Sequence, residues 1–134
     1  MSPEAEPRFY NAVTGKNISF RDGMEIGRKV WNINNAIWAL QGRHRDMVKF
    51  ADYYYDEPIG KPHPAPVFTD GEWTFINVED RKLDRDKFED WKTLYYRLEG
   101  WDEKTGWPTR RTLEELGLKQ VADELESKGK LGAS

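Results

Sequence analysis

Cysteine is absent from this chain of 134 residues. Without a thiol there is no disulfide framework, no cysteine nucleophile and no thiolate ligand for zinc or an iron–sulfur cluster. Long apolar runs are also missing, and the polar N-terminus does not resemble a signal peptide. The absence of a long apolar run and of a signal peptide predicts a cytoplasmic protein with no membrane partner, and the absence of thiolates predicts that this chain binds no cofactor by itself.

An excess of charge of one sign is missing too, because 21 Lys and Arg face 24 Asp and Glu. A net charge of -3 gives no basic footprint for nucleic acid. The aromatic content of 13% indicates packed surfaces rather than disorder. We therefore expect a single helical domain over residues 1–134, with an extended lead-in over 1–18 and a loose tail over 130–134.

The segment from Phe20 to about Gly42 predicts one long helix. Ser19 and Asp22 resemble a capping box at its start. Two apolar stripes follow at helical spacing, and the later helices look too few and too short to cover both. The aliphatic stripe comprises Ile26, Val30, Ile33, Ile37 and Leu40, and the aromatic stripe comprises Phe20, Met24, Trp31 and Trp38.

The aliphatic stripe is expected to face the core of this chain, which leaves the aromatic stripe for another surface. Monomers rarely tolerate an exposed apolar patch of that size. The sequence therefore predicts an interface at Phe20, Met24, Trp31 and Trp38, either with a partner or with a second copy of the chain.

Turn and cap signals complete the predicted fold. Asp70-Gly71 between two β-rich runs indicates a hairpin near residues 67–76. Asp84 predicts the N-cap of a second helix, and Thr112 with Glu115 predicts a capping box for a third. The stretch 47–55 is compatible with a short helix or a strand. The predicted fold class is mainly α, with one short β-hairpin.

Few side chains have the setting of a catalytic group, and we assign none. His63 lies between prolines and is predicted to be a loop residue. His44 precedes Asp46, whose carboxylate could hold one ring nitrogen, although a structural role is favoured. Asn residues on a buried helix bond neighbouring backbone or face a polar cofactor. The candidates for contact with substrate or cofactor are Asn34, Arg43, His44, Arg45 and Asp46; no metal-ligand spacing is present.

Two stretches resemble the final segment of aldehyde ferredoxin oxidoreductases. The first runs from Ile26 to Trp38 and continues through Gly42 and Arg45-Asp46. The second contains Tyr95-Tyr96-Arg97-Leu98-Glu99-Gly100-Trp101-Asp102, followed by Gly106, Pro108-Thr109 and Leu113–Leu118. The resemblance implies the C-terminal helical domain of such an enzyme, with a tungsten bis-pterin and a [4Fe–4S] cluster held by upstream residues.

The segment Gln41–Met47 and the insertion around Asp70–Trp73 look more like the tungsten subunit of ATP-independent benzoyl-CoA reductases. This implies an aromatic acyl-CoA as the alternative to an aldehyde substrate, with a ferredoxin-like electron carrier. The expected role is part of the wall of a buried site, next to upstream domains or a companion subunit. The isolated chain is expected to be inactive. The alternative is a non-catalytic interaction module that uses the aromatic face of helix 20–42.

Overall fold

The protein is mainly helical, as the sequence predicts. A computed structural model describes residues 4–133, so Met1–Pro3 and Ser134 lie outside the described part. Two short strands form an antiparallel hairpin, and every other regular element is a helix. The elements are α1 Ala5–Thr14, α2 Phe20–Leu40, a 3-10 helix at Arg45–Met47, α3 Tyr53–Asp56, β1 Pro64–Thr69, β2 Glu72–Asn77, α4 Arg85–Glu99, α5 Arg110–Glu115 and α6 Lys119–Ser127.

The chain divides into two compact units. One contains the residues up to Met47 together with those from Tyr96 onward, and the other contains Val48–Tyr95. Within residues 4–133, no helix combines the length and the apolar character that crossing a bilayer requires. The expectation of a single domain stays a prediction, and each unit is described separately.

The extended lead-in expected over residues 1–18 is wrong for most of its described length, because α1 occupies it. Pro7 lies in the first turn of α1, where its missing N–H would have had no helical partner in any case. Gly15 ends the helix in the left-handed region, with φ 71°, and its N–H bonds the Asn11 carbonyl. The Asn11 side chain bonds both the N–H and the carbonyl of Ile18, at 2.9 Å each.

Helix α2 begins as predicted but buries a different face. Ser19 and Asp22 form the capping box. The buried side chains are Asn32, Asn35, Ala36 and Ala39, whereas the members of the aliphatic stripe are all exposed. The expectation that this stripe faces the core of the chain is therefore wrong.

Small side chains explain which face of α2 is buried. Ala36 and Ala39 form one cluster with Leu113 of α5 and with Ala122 and Leu125 of α6. Alanine methyl groups at the contact let α2 approach α5 and α6 closely, so the three helices enclose a small core. Large apolar residues elsewhere on α2 are not needed for this contact.

Helix α5 begins earlier than its predicted capping box. Thr109, not Thr112, is the N-cap, and its hydroxyl accepts the N–H of Thr112. The expected pairing of Thr112 with Glu115 is replaced by a hydroxyl network, in which Thr109 and Thr112 both donate to the Gly100 carbonyl, at 2.8 and 2.7 Å.

The described part of the predicted loose tail is held in place. The Gly132 N–H donates to the Pro108 carbonyl at 2.9 Å, and the Ala133 N–H donates to Asp102 Oδ2 at 2.9 Å. An added Cβ at Gly132 would lie 2.5 Å from the Trp107 carbonyl oxygen. Only glycine allows this close approach. The tail is therefore packed, although a composition rich in Gly and Lys predicts a mobile segment.

In the second unit, the hairpin prediction is confirmed. Strands β1 and β2 pair with Thr69 opposite Glu72, so Asp70 and Gly71 form a two-residue turn. Both residues have positive φ, 56° and 85°, as a type I′ turn requires. Asp84 caps α4 as predicted, since its Oδ1 accepts the Lys87 N–H at 3.0 Å.

Candidate functional site: the Arg43–Asp46 turn

The candidate residues follow the end of α2 directly. Gly42 adopts φ 96°, its N–H bonds the Ala39 carbonyl, and the Arg43 N–H bonds the Trp38 carbonyl. These two bonds form a Schellman motif, for which glycine at the left-handed position is the usual residue. The motif reverses the chain and places Arg43–Asp46 beside the loop Trp101–Pro108.

Arg45 connects the turn to this loop. Its backbone N–H donates to the Thr105 carbonyl at 2.9 Å, and its Nη1 donates to the Glu103 carbonyl at 2.7 Å. Its guanidinium also lies over the Tyr96 ring, 5.6 Å from the centroid. With its donors used in this way, Arg45 positions the turn, and the sequence-based view of it as a substrate contact finds no support in this geometry.

Indole rings contact Arg43 and His44, the other two basic residues of the turn. Trp107 Nε1 donates to the Arg43 carbonyl at 2.7 Å, and the His44 ring meets the Trp107 ring edge-on at 5.9 Å. The Arg43 guanidinium lies 4.5 Å from the centroid of Trp38. Arg43 and His44 are both half-buried, so the Arg43 guanidinium and the His44 imidazole lie in a setting where aromatic faces replace part of the water.

His44 and Asp46 form a local pair. Their Nδ1 and Oδ2 atoms are 3.1 Å apart, as the sequence suggested. The Asp46 side chain is 85% exposed, however, so water competes strongly for its carboxylate. A protonated His44 donates to Asp46, and the other ring nitrogen, Nε2, is then a second donor.

The three asparagines of α2 separate into two classes. Asn32 Oδ1 accepts the Trp101 indole N–H at 2.9 Å, and Asn35 Nδ2 donates to the Gly106 carbonyl at 2.9 Å. These two are structural, but only the Asn32 Nδ2 bond to the Arg28 carbonyl is of the expected kind, to neighbouring backbone, and the other partners lie about 70 residues away in sequence. The Asn34 side chain is exposed and has no hydrogen-bond partner within residues 4–133. Asn34 therefore stays a candidate for an external contact.

The loop Trp101–Pro108 is the part of the site that sequence reasoning treated only as a turn. Asp102 organises it by accepting the N–H groups of Lys104 at 2.7 Å and Thr105 at 3.3 Å on one oxygen and that of Ala133 on the other. Burial acts to raise the pKa of Asp102, but these backbone donors together hold it below its usual value. The sequence signal that could have identified this loop is the motif Gly100-Trp101-Asp102, which is followed by a second glycine, Gly106.

Gly106 makes a close contact within this loop. Its φ is 73°, and an added Cβ would lie 3.0 Å from the Tyr96 ring. Both the conformation and the contact exclude a larger residue. The Asn35 bond to the Gly106 carbonyl depends on this close approach.

Comparison with known protein families identifies the chain. The family described as aldehyde ferredoxin oxidoreductase, domains 2 and 3, matches residues 1–118. This protein belongs to the aldehyde ferredoxin oxidoreductase family. The match includes the Arg43–Asp46 turn and the loop that holds it. No solved structure matched the chain.

Membership places the chain in the context of tungsten-pterin oxidoreductases, but its own donors do not fit the inorganic groups. An iron–sulfur cluster needs thiolates, and the sequence contains no cysteine. Within residues 4–133, no three His, Asp or Glu side chains lie close enough together to hold a metal ion. Ligands to tungsten or iron would have to come from outside this chain.

The aromatic stripe is not a single exposed surface. Trp31 and Trp38 meet edge-on at 5.7 Å, and Trp31 stacks on Trp101 at 6.0 Å, so both are half-buried against their own chain. This corrects the expectation that they face away from it. Phe20 and Met24 remain exposed, Met24 at 60%. The structure therefore separates the four predicted interface residues into two packed and two free ones.

Proposed function

We propose that this chain forms the C-terminal helical part of a tungsten-pterin, iron–sulfur oxidoreductase and contributes to the wall of its buried site. The family match over residues 1–118 carries this proposal. The chain supplies shape and charge and leaves the inorganic ligands to the rest of the enzyme. Alone, it is inactive because it offers no cluster ligand.

The Arg43–Asp46 turn supports a role at the site wall. Its backbone is fixed by Gly42, Arg45 and the Trp107 indole, so the Arg43 and His44 side chains start from defined positions. A half-buried cation next to aromatic rings interacts more strongly with an anion than a fully solvated one. We assign Arg43 and His44 to anionic groups of a substrate or cofactor, such as phosphates or a carboxylate.

The substrate is an aldehyde or an aromatic acyl-CoA, and the electron carrier resembles a ferredoxin. The hairpin around Asp70-Gly71 and the form of Gln41–Met47 support the acyl-CoA alternative by their likeness to benzoyl-CoA reductases. The partners in this proposal are upstream domains or a companion subunit.

Metal analysis of the chain purified together with its natural partners tests the proposal. We expect stoichiometric tungsten and iron in that complex and neither in the chain alone. The matched variants Arg43→Gln and Arg111→Gln, the second on the exposed face of α5, should then be assayed for viologen-linked aldehyde oxidation and benzoyl-CoA reduction. Arg43→Gln should raise the KM of the true substrate, and Arg111→Gln should not. A stable complex without tungsten would contradict the proposal.

The alternative is a non-catalytic helical module that binds a partner through α2. Its support is the exposure of Phe20 and Met24 and of the whole aliphatic stripe. A metal-free complex whose assembly depends on these residues would favour it.

A further inference from the structure

The unit Val48–Tyr95 contains an open cavity of about 960 Å³. This volume lies at the upper end of the range in which proteins hold small molecules. The cavity lies beside the first turns of α4, and most of its lining belongs to two groups, three aromatic residues and four cations, with Val48, Leu83 and Asp84 completing it. These two groups of residues specify what it can bind.

Three aromatic residues line the cavity. Phe50 and Phe88 have their centroids 5.3 Å apart, and Phe88 and Trp91 follow at 6.1 Å with an interplanar angle of 19°. Phe50 is 46% exposed and Trp91 is 58% exposed, so ring surface is accessible in the cavity. Phe50 is tilted by 59° from Phe88, so the accessible ring surfaces favour an aromatic ligand that packs edge-to-face or offset against them.

Four cations also line the cavity. The lining includes Lys49, Arg81, Lys82 and Lys87, and none of them has an ion pair within residues 4–133. The one lining carboxylate, Asp84, is already used as the cap of α4. The cavity wall therefore carries four cations and one carboxylate, which is an excess of positive charge.

Lys92 shows the contrast with a neutralised cation. It is 3% exposed, pairs with Glu89 at 2.7 Å and donates to the Val48 carbonyl at 2.9 Å. A lysine that serves the fold in this unit is thus buried and paired. The four cavity cations are exposed and unpaired, which suits recognition of an external anion.

We propose that this cavity binds a planar aromatic ring that carries an anionic substituent, such as a carboxylate or sulfonate. The ring packs against the accessible surface of Phe50 and Trp91, and the anion lies against Lys82 and Lys87. A neutral aromatic compound would leave the cations without a partner, and an aliphatic anion would not use the ring surfaces. This site is independent of the proposed oxidoreductase function.

Two matched probes test the proposal on the full chain by isothermal titration calorimetry. The first, 2-naphthoate, carries the ring and the charge, and the second, 2-naphthalenemethanol, carries the same ring without charge. We expect naphthoate to bind about tenfold more tightly, since one charge-assisted hydrogen bond contributes roughly that factor. Its advantage should shrink at high salt. Equal affinity of the two probes, or no binding of naphthoate, would overturn the proposal.

Variants locate the site. The pair Lys82→Gln and Lys87→Gln should bring the affinity for naphthoate down to that for the alcohol and leave the alcohol unaffected. The control pair Lys61→Gln and Lys104→Gln, outside the cavity, should change neither. Trp91→Ala should weaken both probes, with circular dichroism confirming that the helices persist. If naphthoate binding survives the change of Lys82 and Lys87, the assignment is wrong.

Discussion

Asn32 and Asn34 stand two positions apart on one helix and have opposite environments. Asn32 is fully buried and bonds the Trp101 indole and the Arg28 carbonyl, whereas Asn34 faces water. A buried polar group is costly only when it lacks a partner. Residue type alone therefore says little about either position, and the position of Trp101 decides the role of Asn32.

Asn32→Ala should destabilise the protein by about 1–3 kcal/mol, because it leaves the buried Trp101 N–H without an acceptor. Asn34→Ala should change the free energy of unfolding by less than about 0.5 kcal/mol, as exposed substitutions usually do. Urea denaturation followed by circular dichroism measures both. Equal effects of the two substitutions would show that the Asn32–Trp101 bond is not stabilising.

Asp102 predicts how stability depends on pH. Its pKa is lowered in the folded chain, so the carboxylate contributes stability that is fully present above its unfolded pKa of about 3.9 and is lost as pH falls through the lower folded value. Asp102→Asn removes this contribution. The difference in urea midpoint between wild type and Asp102→Asn should therefore be largest at pH 5–7 and shrink toward pH 2. A difference that stays constant with pH would contradict the lowered pKa.

At the scale of elements, the sequence predicted what local chemistry determines. The capping box at Ser19, the cap at Asp84 and the Asp70-Gly71 hairpin depend on neighbouring residues, and all three are present. Helix α1 was missed because Pro7 is a helix breaker in most positions but not in the first turn. The buried face of α2 was missed because apolar periodicity identifies an apolar face but not what covers it.

The same distinction explains how much of the site was predictable. The residues of the Arg43–Asp46 turn were found by their charge and by the family likeness. Their separation into a positioning residue, Arg45, and two half-buried basic residues depends on the carbonyls of Glu103 and Thr105. These lie nearly 60 residues away in sequence, and no local pattern specifies them.

A test of the cap compares two acidic residues at the start of α4. Asp84→Ala should cost about 1 kcal/mol by removing the side-chain acceptor for the Lys87 N–H. Asp86 lies two residues further along, in the first turn of α4. Asp86→Ala removes a favourable charge near the helix dipole and should cost only a few tenths of a kcal/mol. Thermal unfolding measures both. An unchanged melting temperature for Asp84→Ala would show that the cap is not stabilising.

A second test asks which face of α2 is the core face. Ala39 is fully buried against α5 and α6, so Ala39→Leu should cost about 1–3 kcal/mol through overpacking. Ile37 lies on the exposed stripe, so Ile37→Ala should lower the free energy of unfolding by less than about 1 kcal/mol. Chemical denaturation gives both values. The opposite ranking would restore the aliphatic stripe as the core face.

At the scale of the whole molecule, α2 leaves a long apolar surface uncovered within the described chain. The exposed members of the aliphatic stripe follow one another at intervals of four, three, four and three residues. This is the spacing of a seam between two helices. The burial of Trp31 and Trp38 thus moves the larger free surface from the aromatic stripe to the aliphatic one.

We expect the chain to self-associate at high concentration, because each large side chain that becomes buried contributes about 1.5–3 kcal/mol. Sedimentation velocity on two double variants separates the faces. Ile33→Lys with Ile37→Lys should give monomers, whereas Phe20→Lys with Met24→Lys should have the smaller effect. The reverse order would return the interface to the aromatic stripe, and a wild-type chain that stays monomeric would exclude both.

The glycines at the loop contacts have a consequence for mutational tolerance. Gly106 and Gly132 each lie against atoms that a methyl group would strike, while Gly27 has ordinary helical geometry and no atom within 4 Å of an added Cβ. In a library with every codon randomised, selection for folded protein should retain only glycine at 106 and 132 and admit many residues at 27. The loop that holds the Arg43–Asp46 turn would then be among the slowest parts of the chain to diverge, although none of its glycines has a side chain to take part in chemistry.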